Sequence, residues 1–391
     1  MIKMNPTEQM QITLEKQPRH RRILSIDVLR GITIAGMILV NNPGGEEVYT
    51  PFAHASWIGL TPADLVFPFF MFLMGITTYL SLRKYQFEWS WACSRKIIKR
   101  TFCLWGIGLI IEWLMMLSYR LTESADSIVP FLGDSFSHLR LLGVLPRLGI
   151  CYGLAAVIVL STKHKYIPWI IAFLFMGYYV ILESCNGWVH DSANILAIVD
   201  KTVLGTNHCF IWDVPDPEGV LSTVPALAHV LLGFCVGKYV MNSEGLDNQI
   251  ERLFIIGVLL TLVGWLLSFG CPVSKKIWSP TFSMITCGMC SAILALLIWG
   301  IDKRGYKNSA ITFFLVFGVN PLILYVLSEL LFMPLSILPL GDYTISHWTY
   351  HSFLFPMFGA KLASLVWGLC VVGLVWYCGL TLYKKKIFIS L

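Results

Sequence analysis

The sequence predicts an all-α polytopic membrane protein, a bundle of about ten transmembrane helices with N- and C-termini cytoplasmic. Three observations carry this. Hydrophobic residues make up 56% of the 391 positions and charged residues only 13%, with a mean hydropathy of +0.69. Apolar stretches of spanning length recur from one end of the chain to the other. Basic residues gather in alternate connections between those stretches.

Composition alone excludes a soluble domain, in which about a quarter of residues are charged. The formal net charge of +6 does not point to nucleic acid. Its cations lie in short inter-helix loops, and no basic face interleaved with aromatics is present. The partners this implies are membrane lipids.

The polar start of the chain ends in the basic run Arg19, His20, Arg21, Arg22. No short apolar core with a small-residue cleavage site follows, so the first apolar segment is expected to be retained as helix one. Spanning stretches then fall at 26–42, 60–82, 101–118, 141–161, 167–183, 220–240, 252–270, 281–300, 310–332 and 359–383. An even number of spans returns the C-terminus to the side of the N-terminus.

The loops fix the orientation. Cytoplasmic connections would hold Arg83, Lys84, Arg95, Lys96, Lys99, Arg100, Lys163, Lys165, Lys238, Arg252, Lys303, Arg304 and Lys307, and the tail adds Lys384, Lys385 and Lys386. Outer connections hold Arg120, Arg140, Lys201, Lys275 and Lys276. That is the positive-inside pattern, with the 43–59 loop outside. Region 333–358 is apolar but broken by Pro334, Pro339, Gly341 and Pro356. Short interfacial or re-entrant helices are expected there.

Most of the eleven cysteines lie in apolar segments and act as small hydrophobes. Cys185 and Cys209 share the longest outer loop, where an oxidising compartment would permit a bridge. The only close cysteine pair is CGMC at Cys287 and Cys290, a lone pair within a helix that does not make a metal site, and HExxH is absent, so no metal is expected. Neither a P-loop nor a GxGxxG stands in the chain.

The polar residues concentrate between Ser25 and Gly75. Asp27, Arg30 and Asp64 lie in or beside apolar segments, where insertion of such a charge costs about 2.5–3.5 kcal/mol at a helix centre. His54 lies just outside helix two, whose start is marked by Thr61 as cap and Pro62 in the first turn. It reads as an interfacial histidine beside Trp57, or as a base. Asp64 reads as an acid favoured by the helix dipole, or as the carboxylate that orients the histidine. Asn41 and Asn42 end helix one as caps or as amide donors toward an oxyanion. Arg147, two turns below the outer end of helix four, needs a partner. Asp64, Glu112 or Asp27 would supply one, as would a phosphate or sugar oxygen. The segment Trp212 to Leu221, WDVPDPEGVL, is a turn cluster whose acids and tryptophan also suit sugar. Asn320 precedes Pro321, a helix kink.

Taken together, IDVLRG with a following VN, HASWIGLTPADLVFPFFMFLMG, GVLPRLGICY and DPEGVLSTVPA resemble the heparan-α-glucosaminide N-acetyltransferase family of transmembrane acyltransferases. The likeness covers nearly all of the chain in family order. It implies acetyl-CoA as co-substrate, no permanently bound cofactor, and transfer to the amino group of a glucosamine-type sugar or glycan at the outer face. It places the catalytic histidine on His54, the asparagine after helix one on Asn41, and the aspartate of ADLVFP on Asp64. Arg147 and Arg30 are then the candidates for holding acetyl-CoA. Residues 1–24 would form a cytoplasmic basic segment and 25–391 a single transmembrane acyltransferase domain.

The compact chain, without the N-terminal luminal domain of lysosomal members, suggests a bacterial inner-membrane protein. A homodimer is left open. The rival readings are a permease for sugars or amino sugars and an O-acyltransferase of envelope glycans. Against the permease, no internal repeat is evident, and the polar residues crowd into helices one, two and four.

Overall fold

The computed structural model describes residues 23–123, 135–210, 213–340 and 343–388. The basic run Arg19–Arg22 and Trp212 lie outside the described residues. Among those described, nine helices are long and apolar enough to cross a membrane, or ten if a bent pair serves as one span. The chain is an α-helical integral membrane protein.

The helices are α1 (Leu24–Asn41), α2 (Val66–Arg83, led in by a 3-10 turn at Pro62–Leu65), α3 (Trp91–Glu123) and α4 (Val144–Ser161). Next come α5 (Ile167–Ser184), the short α6 (Ile195–Leu204), α7 (Thr223–Met241), α8 (Gly245–Leu267) and α9 (Pro280–Leu297). The last are α10 (Ser309–Val319), α11 (Pro321–Ile337) and α12 (Ala360–Lys384). Between α11 and α12 lie a two-stranded antiparallel ladder, Pro339–Leu340 with Tyr343–Thr344, and the short helices Ile345–Trp348, Thr349–Leu354 and Phe355–Phe358. Region 333–358 thus carries the short elements that its prolines foretold, although α11 runs on through Pro334.

Two helices at the centre meet backbone to backbone. Gly75 of α2 abuts the Val230 carbonyl and Gly233 of α7, and Gly233 in turn abuts the Phe72 carbonyl. In lipid there is little hydrophobic drive between helices, so small residues that admit close van der Waals contact hold them together. The buried set Phe72, Met71, Phe234 and Phe282 fills the space around this pair. By contrast α5 and α8 expose Trp169, Phe173, Leu259 and Trp265, the side chains suited to hydrocarbon.

The expected span at 310–332 is not one straight helix. At Asn320–Pro321 the chain bends by 85°, because the proline ring removes a backbone donor and clashes with the preceding turn. Before the bend, Gly318 packs on the Asp27 carbonyl near the start of α1. At it, Asn320 Nδ2 donates to the Ile387 carbonyl beyond α12, 2.9 Å away. So α10 stays at the end of the bundle where α1 begins, and α11 leads away from it. The same end is tied by Asp302, whose carboxylate accepts the Leu24 and Ser25 amides at 3.0 and 3.1 Å and the Ser25 hydroxyl. An acid at a helix N-terminus satisfies orphan donors and is favoured by the positive end of the dipole.

Candidate active site

At the opposite end of the bundle three loops converge on the start of α2. Thr61 caps the 3-10 turn that carries Asp64, in the reciprocal pattern of a capping box. Asp64 Oδ2 accepts the amides of Ala55 and Thr61, each at 3.1 Å, and lies 3.0 Å from the Thr61 hydroxyl. That fold-back of residues 53–61 on the turn brings His54 Nδ1 to 2.8 Å from Asp64 Oδ1. Asp64 is 1% exposed, while the His54 side chain retains 40% of its surface.

The carboxylate oxygens are acceptors only, so the proton sits on Nδ1 and Nε2 is left as an acceptor. A buried carboxylate orienting an accessible imidazole is the arrangement that a general base requires. The expected pairing of His54 with Asp64 is therefore present.

A third residue joins them that sequence reasoning left among the loop charges. Lys275, between α8 and α9, places Nζ 3.6 Å from Asp64 Oδ1. The same atom is 3.2 Å from His54 Nδ1 and 3.4 Å from Nε2. The loop is clamped to the histidine segment: the Gly59 amide donates to the Val273 carbonyl at 2.8 Å and the Ser274 hydroxyl to the Trp57 carbonyl at 2.6 Å. Burial pulls the Lys275 ammonium below the ordinary lysine range, against the opposing pull of Asp64 and Glu218. The adjacent Lys276 pairs with Asp213, which also takes His190 Nε2 at 2.9 Å. Trp57 stacks on the His190 ring, centroids 4.3 Å apart.

Asn41 ends α1 and is exposed. Gly36 faces Val66 across the α1–α2 contact. Five residues of helix, about 7.5 Å at 1.5 Å per residue, then lift Asn41 to the level of Thr61. No hydrogen bond joins Asn41 to His54 or Asp64; Asn42 turns back to the Ile38 carbonyl at 2.9 Å.

Arg147 has none of the three carboxylate partners considered for it. Fully buried, it donates from Nη2 to the Gly219 carbonyl at 3.2 Å and to the Ser222 hydroxyl. Its guanidinium lies over the Trp278 ring, 5.3 Å from the centroid, while Nε and Nη1 meet no acceptor. The carboxylates instead go to Arg140, which reaches Asp216 Oδ2 at 3.2 Å from Nε, Glu218 Oε2 at 2.7 Å and Glu112 Oε1 at 3.5 Å. Burial raises the Glu218 carboxyl, but Arg140 and Arg147 outweigh it and hold it below its usual range. Asp200 braces the same turn from α6, accepting the Val220 amide at 2.7 Å. Burial pushes its carboxyl up to about 6.

Arg30 lies at the other end of the bundle. Its Nη1 donates to Asp27 at 3.1 Å and to the Gly318 carbonyl at 3.2 Å. It also lines a cavity of about 280 Å³ with Arg100, Ser81, Thr77, Phe70 and Leu145. From Ser81 to Phe70 the cavity follows α2 for about 16 Å, and Asp64 stands about 9 Å further along, in the 3-10 turn that leads into that helix. Arg147 is not part of its wall.

Cys185 and Cys209 are free thiols. Among the described residues no group of three His, Cys, Asp or Glu side chains could hold a metal ion.

The fold and this site define a class: an α-helical integral membrane protein with an oriented histidine at one end of the bundle and an arginine-lined cavity beside the other half of α2. Residues 22–252 match the family described as "Heparan-alpha-glucosaminide N-acetyltransferase, catalytic". Curated relatives are similar over most of this chain. A heparan-alpha-glucosaminide N-acetyltransferase of Mus musculus is 27% identical over 396 residues, covering 84% of this chain and 57% of the relative. One of Homo sapiens is 28% identical over 367 residues, covering 78% and 52%. The chain belongs to the heparan-alpha-glucosaminide N-acetyltransferase family. It spans little more than half the length of the curated relatives it matches.

Proposed function

We propose that this protein is a transmembrane acetyltransferase, moving the acetyl group of cytosolic acetyl-CoA to the amino group of a glucosamine-type sugar at the outer face. The observation that carries the reading is the buried Asp64 bound to the exposed His54, with Lys275 against both. The distribution of basic loops supports an outward His54 end. The arginine-lined cavity supports donor entry from the other end, with Arg30 and Arg100 beside the donor phosphates.

In the reaction the amine nitrogen attacks the thioester carbonyl, the C–S bond breaks, and CoA leaves as thiolate. His54 Nε2 takes the amine's proton while Asp64 holds the Nδ1 tautomer and faces the imidazolium that forms. Lys275 supplies positive charge for the oxyanion of the tetrahedral intermediate. Asn41, level with Thr61, is a second donor toward that oxygen once acceptor is bound. Transfer is direct in this scheme; an acetyl-His54 intermediate would instead show as exchange between acetyl-CoA and CoA without acceptor.

The test is acetyl transfer from acetyl-CoA to glucosamine by purified protein in nanodiscs. His54→Ala should lose at least about 100-fold in kcat, the lower end of general-base effects, and keep acetyl-CoA binding. A permease would transfer nothing. A His54→Ala variant retaining a tenth of wild-type turnover would make the histidine an interfacial anchor.

A further inference from the structure

A second cavity, of about 460 Å³, lies on the outside of the bundle between α5, α7 and the α8–α9 turn. Its wall is apolar: Ile171, Phe175, Leu232 and Met284 line it, and the polar Tyr179 and Thr281 are already bonded to the backbone of Gly270 and Cys271. Along α5 it extends from Pro168 to Tyr179. That is about 16 Å, or roughly half of a ~30 Å hydrocarbon core. Its lining includes the exposed Ala172 and Met176, and the same helix and turn expose Trp169 and Phe173, each 75%, and Phe269, 78%, so the groove lies on the face suited to hydrocarbon. It could hold an extended alkyl chain but offers nothing to a sugar.

Its upper wall is the loop that builds the candidate active site. Gly270 and Cys271 line the groove, and Lys275 of the same loop touches His54 and Asp64. Four residues span at most about 14 Å of extended chain. The loop is rigidly tied on both sides: Thr281 Oγ1 donates to the Cys271 carbonyl at 2.9 Å, and Ser274 and Val273 hold Trp57 and Gly59. The groove wall at Cys271 and the lysine that touches His54 thus belong to one tied loop, no more than about 14 Å of chain apart.

Resting on the acetyltransferase reading above, we propose that the acceptor is a lipid-anchored amino sugar, whose alkyl chain lies in the groove beside α5 while its amine faces His54. The chain's contribution is to register the head against the base. Simple partition into the bilayer concentrates any amphiphile and does not need the groove, so the groove must be tested apart from partition.

Wild type and Ala172→Trp, which fills the groove from an exposed position on α5, are compared in phosphatidylcholine nanodiscs. Met176→Trp, a second exposed lining position, repeats the test should Ala172→Trp fail to fold. Acceptors are methyl, octyl and dodecyl 2-amino-2-deoxy-β-glucosides with acetyl-CoA as donor. Expected is a kcat/KM that rises from methyl to dodecyl at least ten-fold more in wild type than in the filled variant, with equal rates on the methyl acceptor. Parallel rises in the two proteins would mean partition alone and a groove filled by bulk lipid, overturning the proposal. So would a flat profile in wild type. If wild type acetylates none of the three, including the methyl glycoside, the acetyltransferase reading itself falls and takes this one with it.

Discussion

Lys275 Nζ stands 3.6 Å from Oδ1 of Asp64, wedged against the imidazole that the same oxygen orients. The ammonium thus belongs to the histidine–carboxylate pair and completes a cluster built from two distant loops. Burial disfavours its charge more than Asp64 and Glu218 favour it, so its proton leaves below the usual 10.5. The unfolded chain holds that proton to higher pH. Folding stability therefore rises with pH between the folded and unfolded values, while catalysis that needs the ammonium falls over the same window. The pH profile of kcat should show an alkaline limb below 10.5 in wild type, displaced upward in Lys275→Arg. An unmoved limb would remove Lys275 from the chemistry.

Asp64→Asn tests the acid that anchors the cluster. An amide cannot accept from His54 Nδ1, Ala55 and Thr61 with two oxygens, and its NH2 group faces donors. Each donor left unsatisfied costs about 1–3 kcal/mol, so the variant should melt earlier as well as lose turnover. Arg147, once a candidate partner for this carboxylate, bonds elsewhere and should be indifferent. A melting temperature equal to that of wild type, read by differential scanning fluorimetry in detergent, would show that the loop does not depend on Asp64.

The turn above Arg147 depends on Arg140. Removing the cation in Arg140→Ala leaves Asp216 and Glu218 buried without their ion-pair partner, a change that costs about 3–5 kcal/mol. Glu218 also gives this turn an acid limit. Its carboxyl is held below the ordinary value of 4.5 in the fold, so its contribution is complete above 4.5 and is lost as pH falls through the lower folded value. Thermal unfolding against pH should show the loss below 4.5 in wild type and a weaker slope in Glu218→Gln. Equal slopes would assign the acid sensitivity to another carboxylate.

What could be read from the chain followed from locality. His54 and Asp64 are ten positions apart across a Thr-Pro helix start, so both the turn and its cap were written in adjacent residues. Lys275 belongs to a loop far along the chain, and nothing local distinguishes it. The one available signal was that Lys275 and Lys276 stand together on a side otherwise poor in cations. The acid partners expected for Arg147 are absent because burial of an arginine implies a partner, not an acid; one carbonyl oxygen, one hydroxyl oxygen and a tryptophan face serve it. The 310–332 stretch shows a similar limit. Hydropathy counts apolar residues without direction, so it registered the length but not the 85° turn at Pro321.

The last prediction separates donor binding from chemistry. Arg100 shares the wall of the internal cavity with Arg30 and lies over the Tyr152 ring, 4.3 Å from its centroid. Arg30 is committed to Asp27 and Gly318, so its substitution would also disturb the α1–α10 crossing, and Arg100 is the cleaner probe. If its guanidinium meets a phosphate of acetyl-CoA, the contact is charge-assisted and worth about 1.5–3 kcal/mol. Arg100→Ala should then raise KM for acetyl-CoA about ten- to a hundred-fold, with kcat at saturating donor within a few-fold of wild type. That pattern marks binding lost equally from ground and transition states. In the proposed scheme the acceptor meets the other end of the bundle, so KM for glucosamine should not move. His54→Ala should give the opposite split, a collapse in kcat at an unchanged donor KM. An Arg100→Ala enzyme with wild-type KM for acetyl-CoA would show that the donor does not enter through this cavity.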